Sequence, residues 1–296
     1  MPDDSSFELF SSVRYDDALR DLPQKSAFAY GGWNTRQSSP FYMLDFHRDR
    51  LLRAAEHWEW EDAAATITGD DGLQRLERVL QSSVDGHTLN NGDGPLRCRV
   101  ALNMNGRLHC SVFAAQETAL VGLVPPQLPP PGFMASSCDG KGETQLLFPL
   151  LRSLRSELGP QPYEVSIDLD GIAASAYTHY KTTRRQMYDD ARQRAGITGP
   201  EQKEVLLINA ESGMIMDGSI STVYFWRHGR WVTPPVPSIY DRDAGSGGLD
   251  GTTRRWALEH RLAVQEEVKA ASVLDGEECW LSNGVRGFLY GKIKIL

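Results

Sequence analysis

The chain has 296 residues, 41% hydrophobic and 24% charged, with 39 acidic against 31 basic residues and a formal net charge of -8. That is globular composition, with enough chain for one large domain or two of medium size. The acidity excludes the basic footprint of non-specific nucleic-acid binding, and no apolar run is long enough to span a membrane.

The start, MPDDSSFELF, carries no basic, apolar leader, so a cytoplasmic protein is expected. FELFSSVR at 7–14 reads as an opening strand. From 41 to 60, Leu44, His47, Leu51, Leu52 and Ala55 recur at helical spacing and predict an amphipathic helix. A second helix is expected over 71–83, where Leu73, Leu76, Val79 and Leu80 share a face, until Gly92, Gly94 and Pro95 break the pattern. CRVALNMNGRLHCSVFA predicts a hairpin turning at Asn105-Gly106. The prolines of 124–134 rule out a helix or a central strand and imply an extended surface excursion.

Residues 145–158 read as a helix and YEVSIDLD (163–170) as a strand. The segment 169–176 is the expected connection between a small N-terminal domain, 1–168, and a larger C-terminal domain, 177–296. The second part predicts a helix over 181–195 stopped by Gly196. Three short strands follow in 204–234, with turns at Ser212-Gly213 and His228-Gly229. A helix then opens at Thr252 after a glycine-rich loop, and a strand, turn and strand close the chain over 278–293. Strands and helices mix without strict alternation and without an internal repeat, which defines an α+β class. Cys98, Cys110, Cys138 and Cys279 lie far apart, as reduced thiols do, and no metal site is expected.

Four places offer chemistry. Lys181 opens a predicted helix, where the positive end of the dipole disfavours the ammonium and suits a Schiff-base lysine; a solvated lysine in a threonine-rich turn fits the same letters. In GSGGLDGTTRR (245–255) the glycines allow close backbone approach to an anion, and a helix starting at Thr252 offers free N–H groups to a phosphate. A flexible, threonine-capped loop is the alternative. Asp217 in MIMDGSIS lies among apolar strand residues, where a carboxylate needs a partner such as a protonated pyridine nitrogen; an Asp-Gly turn is the alternative. Arg50, on the polar flank of its helix, either clamps a phosphate through two donors or is a surface arginine. Asn283 and Arg286 in SNGVRG either face a ligand or cap the turn.

Six ordered blocks then resemble one family over about residues 41 to 291. They are HRDRLLRAA, YKTTRRQMYDDAR, VLLINAESGMIMDGSISTVYF, the TPP at 233–235, GGLDGTTRRWALE and WLSNGVRGF. The resemblance is to the fold-type IV pyridoxal-phosphate enzymes, which include branched-chain and D-amino-acid aminotransferases and 4-amino-4-deoxychorismate lyase. The K-T-T-x-R-x-x-Y form of the lysine block and the S-N-G-V-R-G block are nearest the lyase-like branch.

The resemblance implies a small α/β sandwich domain and a larger pseudo-barrel domain. It implies pyridoxal 5'-phosphate held covalently on Lys181, which also shuttles the substrate proton. Arg50, Thr252 and Thr253 would bind the cofactor phosphate. Asp217 would pair with the pyridine nitrogen, where the family has glutamate, and Thr222 replaces the family's asparagine. Tyr188 would approach the cofactor or only pack. Asn283, Arg97, Arg99 and Ser12 would contact substrate, with Ser11 beside them. The implied protein is a homodimer acting on a small-molecule amine or amino acid. Its implied activity is conversion of 4-amino-4-deoxychorismate into 4-aminobenzoate and pyruvate, a step of folate precursor synthesis. A transaminase of a small or aromatic amino acid or amine is the alternative, and a non-catalytic cofactor-binding relative is a further one.

Overall fold

The first strand, β1 (Leu9–Tyr15), carries LFSSVRY and sets Leu9, Val13 and Tyr15 on one face, toward the core. The computed structural model describes residues 7–91, 94–133, 153, 154, 156, 158 and 161–295. Among these, the chain forms two compact units. The first takes the residues up to Glu117 together with Ala176–Arg185 and Ser238–Tyr240. The second takes Thr118–Ser175, Gln186–Pro237 and the residues from Asp241 onward. The partition therefore differs from a single boundary at 168. The reason is strand pairing: β4 (Tyr163–Ile167) runs parallel to strands of the second unit and pairs with none of the first.

In the first unit, helices α1 (Leu44–His57), α2 (Glu61–Ile67) and α3 (Gly69–Asn91) pack on an antiparallel sheet of β1, β2 (Leu96–Leu102) and β3 (Leu108–Ala114). Leu9, Val13, Cys98, Val100 and Leu102 face the helices and meet Leu51, Ala54, Ala55, Leu76 and Leu80 in one core. Each large aliphatic side chain buried there contributes about 1.5–3 kcal/mol. The helical spacing predicted α1 closely. α3 runs longer than the expected 71–83.

The segment around Lys181 departs from expectation. No helix opens there. After the single turn Ala176–His179 the chain is extended and docks beside β1. Phe10 N donates to Lys181 O at 2.9 Å, Thr183 N donates to Glu8 O at 2.9 Å, and Glu8 N donates to Thr183 Oγ1 at 2.9 Å. The helix, α4, begins only at Gln186 and ends at Arg194. Threonine hydroxyls that hydrogen-bond a neighbouring backbone favour such extended pairing over a helix start. An aromatic cluster fastens the same stretch: Phe7 lies 5.0 Å from Trp58 and 5.4 Å from Tyr177, and Trp58 lies 5.3 Å from Tyr180.

The second unit is an eight-stranded sheet. Besides β4 it holds β5 (Lys203–Ile208), β6 (Ile215–Gly218), β7 (Thr222–Arg227), β8 (Arg230–Thr233), β9 (Val264–Gln265), β10 (Glu278–Asn283) and β11 (Gly287–Ile293). Their order is β6-β5-β4-β11-β10-β7-β8-β9. Four strands, not three, arise in 204–234, because the turn after Gly218 splits β6 from β7. Helix α5 (Thr252–Glu259) precedes β9. Val165, Leu206, Val223, Phe225, Val232 and Leu281 form the core.

The proline-rich segment is not a surface excursion. Val124 and Leu128 are buried. Trp231 Nε1 donates to the carbonyls of Leu128 (2.9 Å) and Pro129 (3.2 Å), and Trp280 Nε1 donates to Pro129 O (3.2 Å). Proline lacks a donor but keeps its acceptor, so two indoles can hold the segment down. Gly287, at φ +68°, makes room beside it, since a Cβ there would stand 2.4 Å from Gly122 O. The helix expected over 145–158 lies almost wholly outside the described residues, as do Cys138 and Gly92. Among the described residues no helix is long and apolar enough to cross a membrane.

Candidate active site

The first unit holds a buried polar trio. His47 and Arg50 stand one turn apart on α1, a spacing that aligns them on one face. Ser11 of β1 lies between them. Arg50 Nη2 donates to Ser11 Oγ at 2.6 Å, and Ser11 Oγ is 2.7 Å from His47 Nδ1. With a guanidinium donating to its oxygen, the serine hydroxyl turns its hydrogen to His47 Nδ1, which leaves the imidazole proton on Nε2. Burial, then the charges of Arg50 and Lys181, push the imidazole well below its ordinary pKa, so the ring is neutral. Its Nε2 is buried and has no hydrogen-bond partner among the described residues.

Lys181 Nζ lies 5.0 Å from the centroid of the Phe10 ring, and the Arg99 guanidinium lies 4.5 Å from the same ring. The lysine stands five residues before α4, so a helix dipole does not act on its amine. Ser12 pairs with Arg99 in the β1–β2 register and Arg97 pairs with Phe113 across β2–β3. Ser12, Arg97 and Arg99 thus share the sheet face opposite Ser11 and the helices. The Arg97 guanidinium sits 4.6 Å over the Phe113 ring.

The second unit holds a buried acid and a helix start. Asp217, on β6, is 6% exposed. Its pKa is pushed up to about 8, first by desolvation and further by the like charge of Glu204. The amides of Gly218 and Leu249 and the charge of Arg254 oppose the rise. Glu204 is itself buried. Its carboxylate accepts from Val205 N (2.9 Å), Ser219 N (3.0 Å), Ser219 Oγ and Ser221 Oγ, which holds the turn after Asp217 in place.

Behind Asp217 runs the glycine loop. A Cβ at Gly248 would stand 2.3 Å from Met216 O and 3.1 Å from Asp217 Cβ, so only glycine lets the loop lie on β6. The loop delivers Thr252 and Thr253 as the first residues of α5. Gly251, the N-cap, supplies no side-chain oxygen to the first-turn N–H groups. Both threonines are buried, and among the described residues Thr252 Oγ1 has no hydrogen-bond partner. Thr253 Oγ1 is 2.8 Å from Ser282 Oγ. Arg254 donates to Pro234 O (2.8 Å) and Gln265 Oε1 (2.7 Å). Thr222 adjoins the N-cap: a Cβ at Gly251 would stand 2.9 Å from its hydroxyl.

Other expected positions are used structurally. Tyr188 packs against the apolar cluster of Ala191, Ile197, Val205, Leu207 and Met216. Asn283 Oδ1 accepts from Val285 N (3.0 Å) and Arg286 N (2.9 Å) and so caps the β10–β11 turn. Arg286 Nη1 donates to the Tyr163 hydroxyl at 3.2 Å. Sequence reasoning set Ser11 beside the substrate residues rather than between Arg50 and His47, and it did not single out Glu204 or Ser282. The three-residue spacing of His47 and Arg50 was visible, but their partner on a strand was not.

The pattern of the family described as amino-transferase class IV matches residues 29–291. A stretch of 148 residues, 45% of this chain, is 31% identical to the aminodeoxychorismate lyase of Saccharomyces cerevisiae and spans 37% of that protein. A stretch of 251 residues, 82% of this chain, is 24% identical to the aminodeoxychorismate lyase of Bacillus subtilis and spans 70% of it. A fold IV-transaminase from Curtobacterium pusillum superposes with a TM-score of 0.55 at 17% identity, covering 98% of this chain and 79% of its own. A hypothetical aminotransferase from Mycobacterium tuberculosis, in its PLP-bound form, superposes with a TM-score of 0.56 at 14% identity, covering 97% and 81%. The chain belongs to the class IV aminotransferase family and has its fold.

Proposed function

We propose that the chain is a pyridoxal-phosphate-dependent lyase that converts 4-amino-4-deoxychorismate into 4-aminobenzoate and pyruvate. The observation that carries the cofactor assignment is the buried, unpartnered Thr252 hydroxyl at the uncapped start of α5. A buried hydroxyl without a partner costs about 1–3 kcal/mol, and a phosphate oxygen there would remove that cost while meeting the helix N–H groups. Asp217 supports the same group. Its carboxyl is held near pKa 8 by burial, and a pyridinium N–H beside it would restore the ionised form. The family resemblance adds Lys181 as the point of covalent attachment and Arg50 as a further phosphate ligand, and amine and guanidinium are the chemistry those two roles need. The names of the curated relatives favour the lyase reaction.

When bound, pyridoxal phosphate supplies the electron sink that makes a neighbouring C–H bond acidic. Lys181 would hold it through the ε-amine and, as the free amine, would take the proton from the ring carbon bearing the substrate nitrogen. The ring C–O bond to the enolpyruvyl group then breaks as the ring becomes aromatic, and the departing enolate takes up a proton to become pyruvate. Aromatisation favours this strongly, so the chain needs mainly a positioned base and a proton route. Arg50, Thr252 and Thr253 bind phosphate and Asp217 holds the ring nitrogen. Arg97, Arg99 and Ser12 share one sheet face and meet substrate carboxylates. The Asn283 amide nitrogen is its atom left for substrate. The homodimer implied by the family resemblance, and a cytoplasmic location, belong to the same proposal.

Incubation of the purified, cofactor-loaded protein with 4-amino-4-deoxychorismate tests the reading. It expects 4-aminobenzoate and pyruvate in equal amounts, and formation of neither rejects it. The family's own description favours one second reading, an aminotransferase. Conversion of amino donors to keto acids that requires an added keto-acid acceptor would establish that reading instead.

A further inference from the structure

We propose that Tyr224 is a positioning residue for anion binding at the start of α5, acting through Ser282 and Thr253. The inference rests on the reading of Thr252 and Thr253 as the phosphate-binding pair and extends it to residues with no place in that reading.

The three hydroxyls stand in line. Tyr224 Oη is 2.9 Å from Ser282 Oγ, and Ser282 Oγ is 2.8 Å from Thr253 Oγ1. All three are buried, Tyr224 completely and Ser282 and Thr253 at 1% exposure. Three hydroxyl hydrogens share two contacts, so one hydrogen is left over; on Ser282, which is 1% exposed, it would be buried without an acceptor, and that leaves the two ends of the line.

The ends are not equivalent. Among the described residues Ser282 is the one hydrogen-bond partner of the phenol, and the Phe288 ring lies 6.1 Å away. A phenol hydrogen left unmatched in that closed pocket would bear the full cost of its desolvation. Burial raises the phenol's pKa, so it keeps its proton. At the other end are the uncapped first turn of α5 and the unpartnered Thr252 hydroxyl. The low-cost arrangement is therefore directional: Tyr224 donates to Ser282, Ser282 donates to Thr253, and Thr253 keeps the free hydrogen. An anion beside Thr252 receives that hydrogen, and each donation along the line polarises the next. The phenol fixes the direction without touching the anion.

The test uses the full-length chain stripped of cofactor and compares its affinity for pyridoxal phosphate with that for pyridoxal, which lacks the phosphate. Tyr224→Phe weakens pyridoxal-phosphate binding about fivefold, the worth of one neutral hydrogen bond, and leaves pyridoxal binding unchanged. Ser282→Ala lowers the same ratio, and Tyr224→Phe adds nothing further in that background. An equal loss for both ligands, an unchanged ratio, or a full extra loss in the double variant overturns the inference. If Tyr224→Phe does not fold, the Ser282→Ala ratio decides alone, and no change there is the overturning result. Thr252→Val with Thr253→Val separates the two levels. If that pair leaves the preference for pyridoxal phosphate intact, the phosphate-site reading fails. If it abolishes the preference while Tyr224→Phe does not alter it, only the directional line fails.

Discussion

Arg50 reaches from α1 to Ser11 on β1, guanidinium nitrogen to hydroxyl oxygen at 2.6 Å, so a strand residue orients a buried cation. The same hydroxyl lies 2.7 Å from His47 Nδ1. Ser11→Ala removes both contacts at once. Hydrogen bonds to charged groups are worth about 1.5–3 kcal/mol, so the variant loses about that much stability in urea unfolding and also binds pyridoxal phosphate less tightly. A stability change below about 0.5 kcal/mol, the range of an ordinary surface substitution, contradicts the assigned geometry.

Asp217 makes stability fall as pH rises. In the unfolded chain its carboxyl titrates near its ordinary value of 3.8, and in the folded protein burial pushes it up to about 8. Between those values the folded state keeps a proton that the unfolded state has released. Folding free energy therefore declines by up to about 1.4 kcal/mol per pH unit across that window and levels off above it. Asp217→Asn removes this slope from the cofactor-free protein. Glu204→Gln removes the like charge that adds to the shift, so the levelling-off point moves to lower pH. Parallel stability profiles for wild type and Asp217→Asn from pH 5 to 8 would refute the assignment.

The two indoles on the proline segment give a structural prediction. Trp231→Phe keeps the ring packing but leaves Leu128 O without its indole donor and Pro129 O with Trp280 alone. The expected cost is about 1–3 kcal/mol, with faster cleavage by a broad-specificity protease within 124–133. Cleavage at the wild-type rate would return the segment to the status of a free loop.

What was legible in the sequence was local. The strand-like run FELFSSVR, the helical spacing of Leu44, Leu51 and Ala55, and the Asn105-Gly106 turn are each defined by neighbours along the chain. Lys181 was singled out by its block, but its conformation was not legible there. The extended course of 181–185 depends on Glu8 and Phe10, far away in sequence. The proline run misled because proline rules concern the missing donor, whereas the carbonyls found acceptor roles toward tryptophans about a hundred residues later. Likewise the Tyr224, Ser282 and Thr253 hydroxyls come from two strands and a helix, and only the β7–β10 register brings them together. The spacing of His47 and Arg50 announced a shared face, but no pattern in one sequence announces that Ser11 fills the gap between them.

The account turns on one covalent attachment. Borohydride reduction of the cofactor-loaded protein, followed by proteolysis and mass mapping, reads it directly. The account predicts a reduced pyridoxyl group on the peptide containing Lys181 and none in Lys181→Ala. Recovery of the cofactor unattached, or its attachment to another lysine, would contradict it.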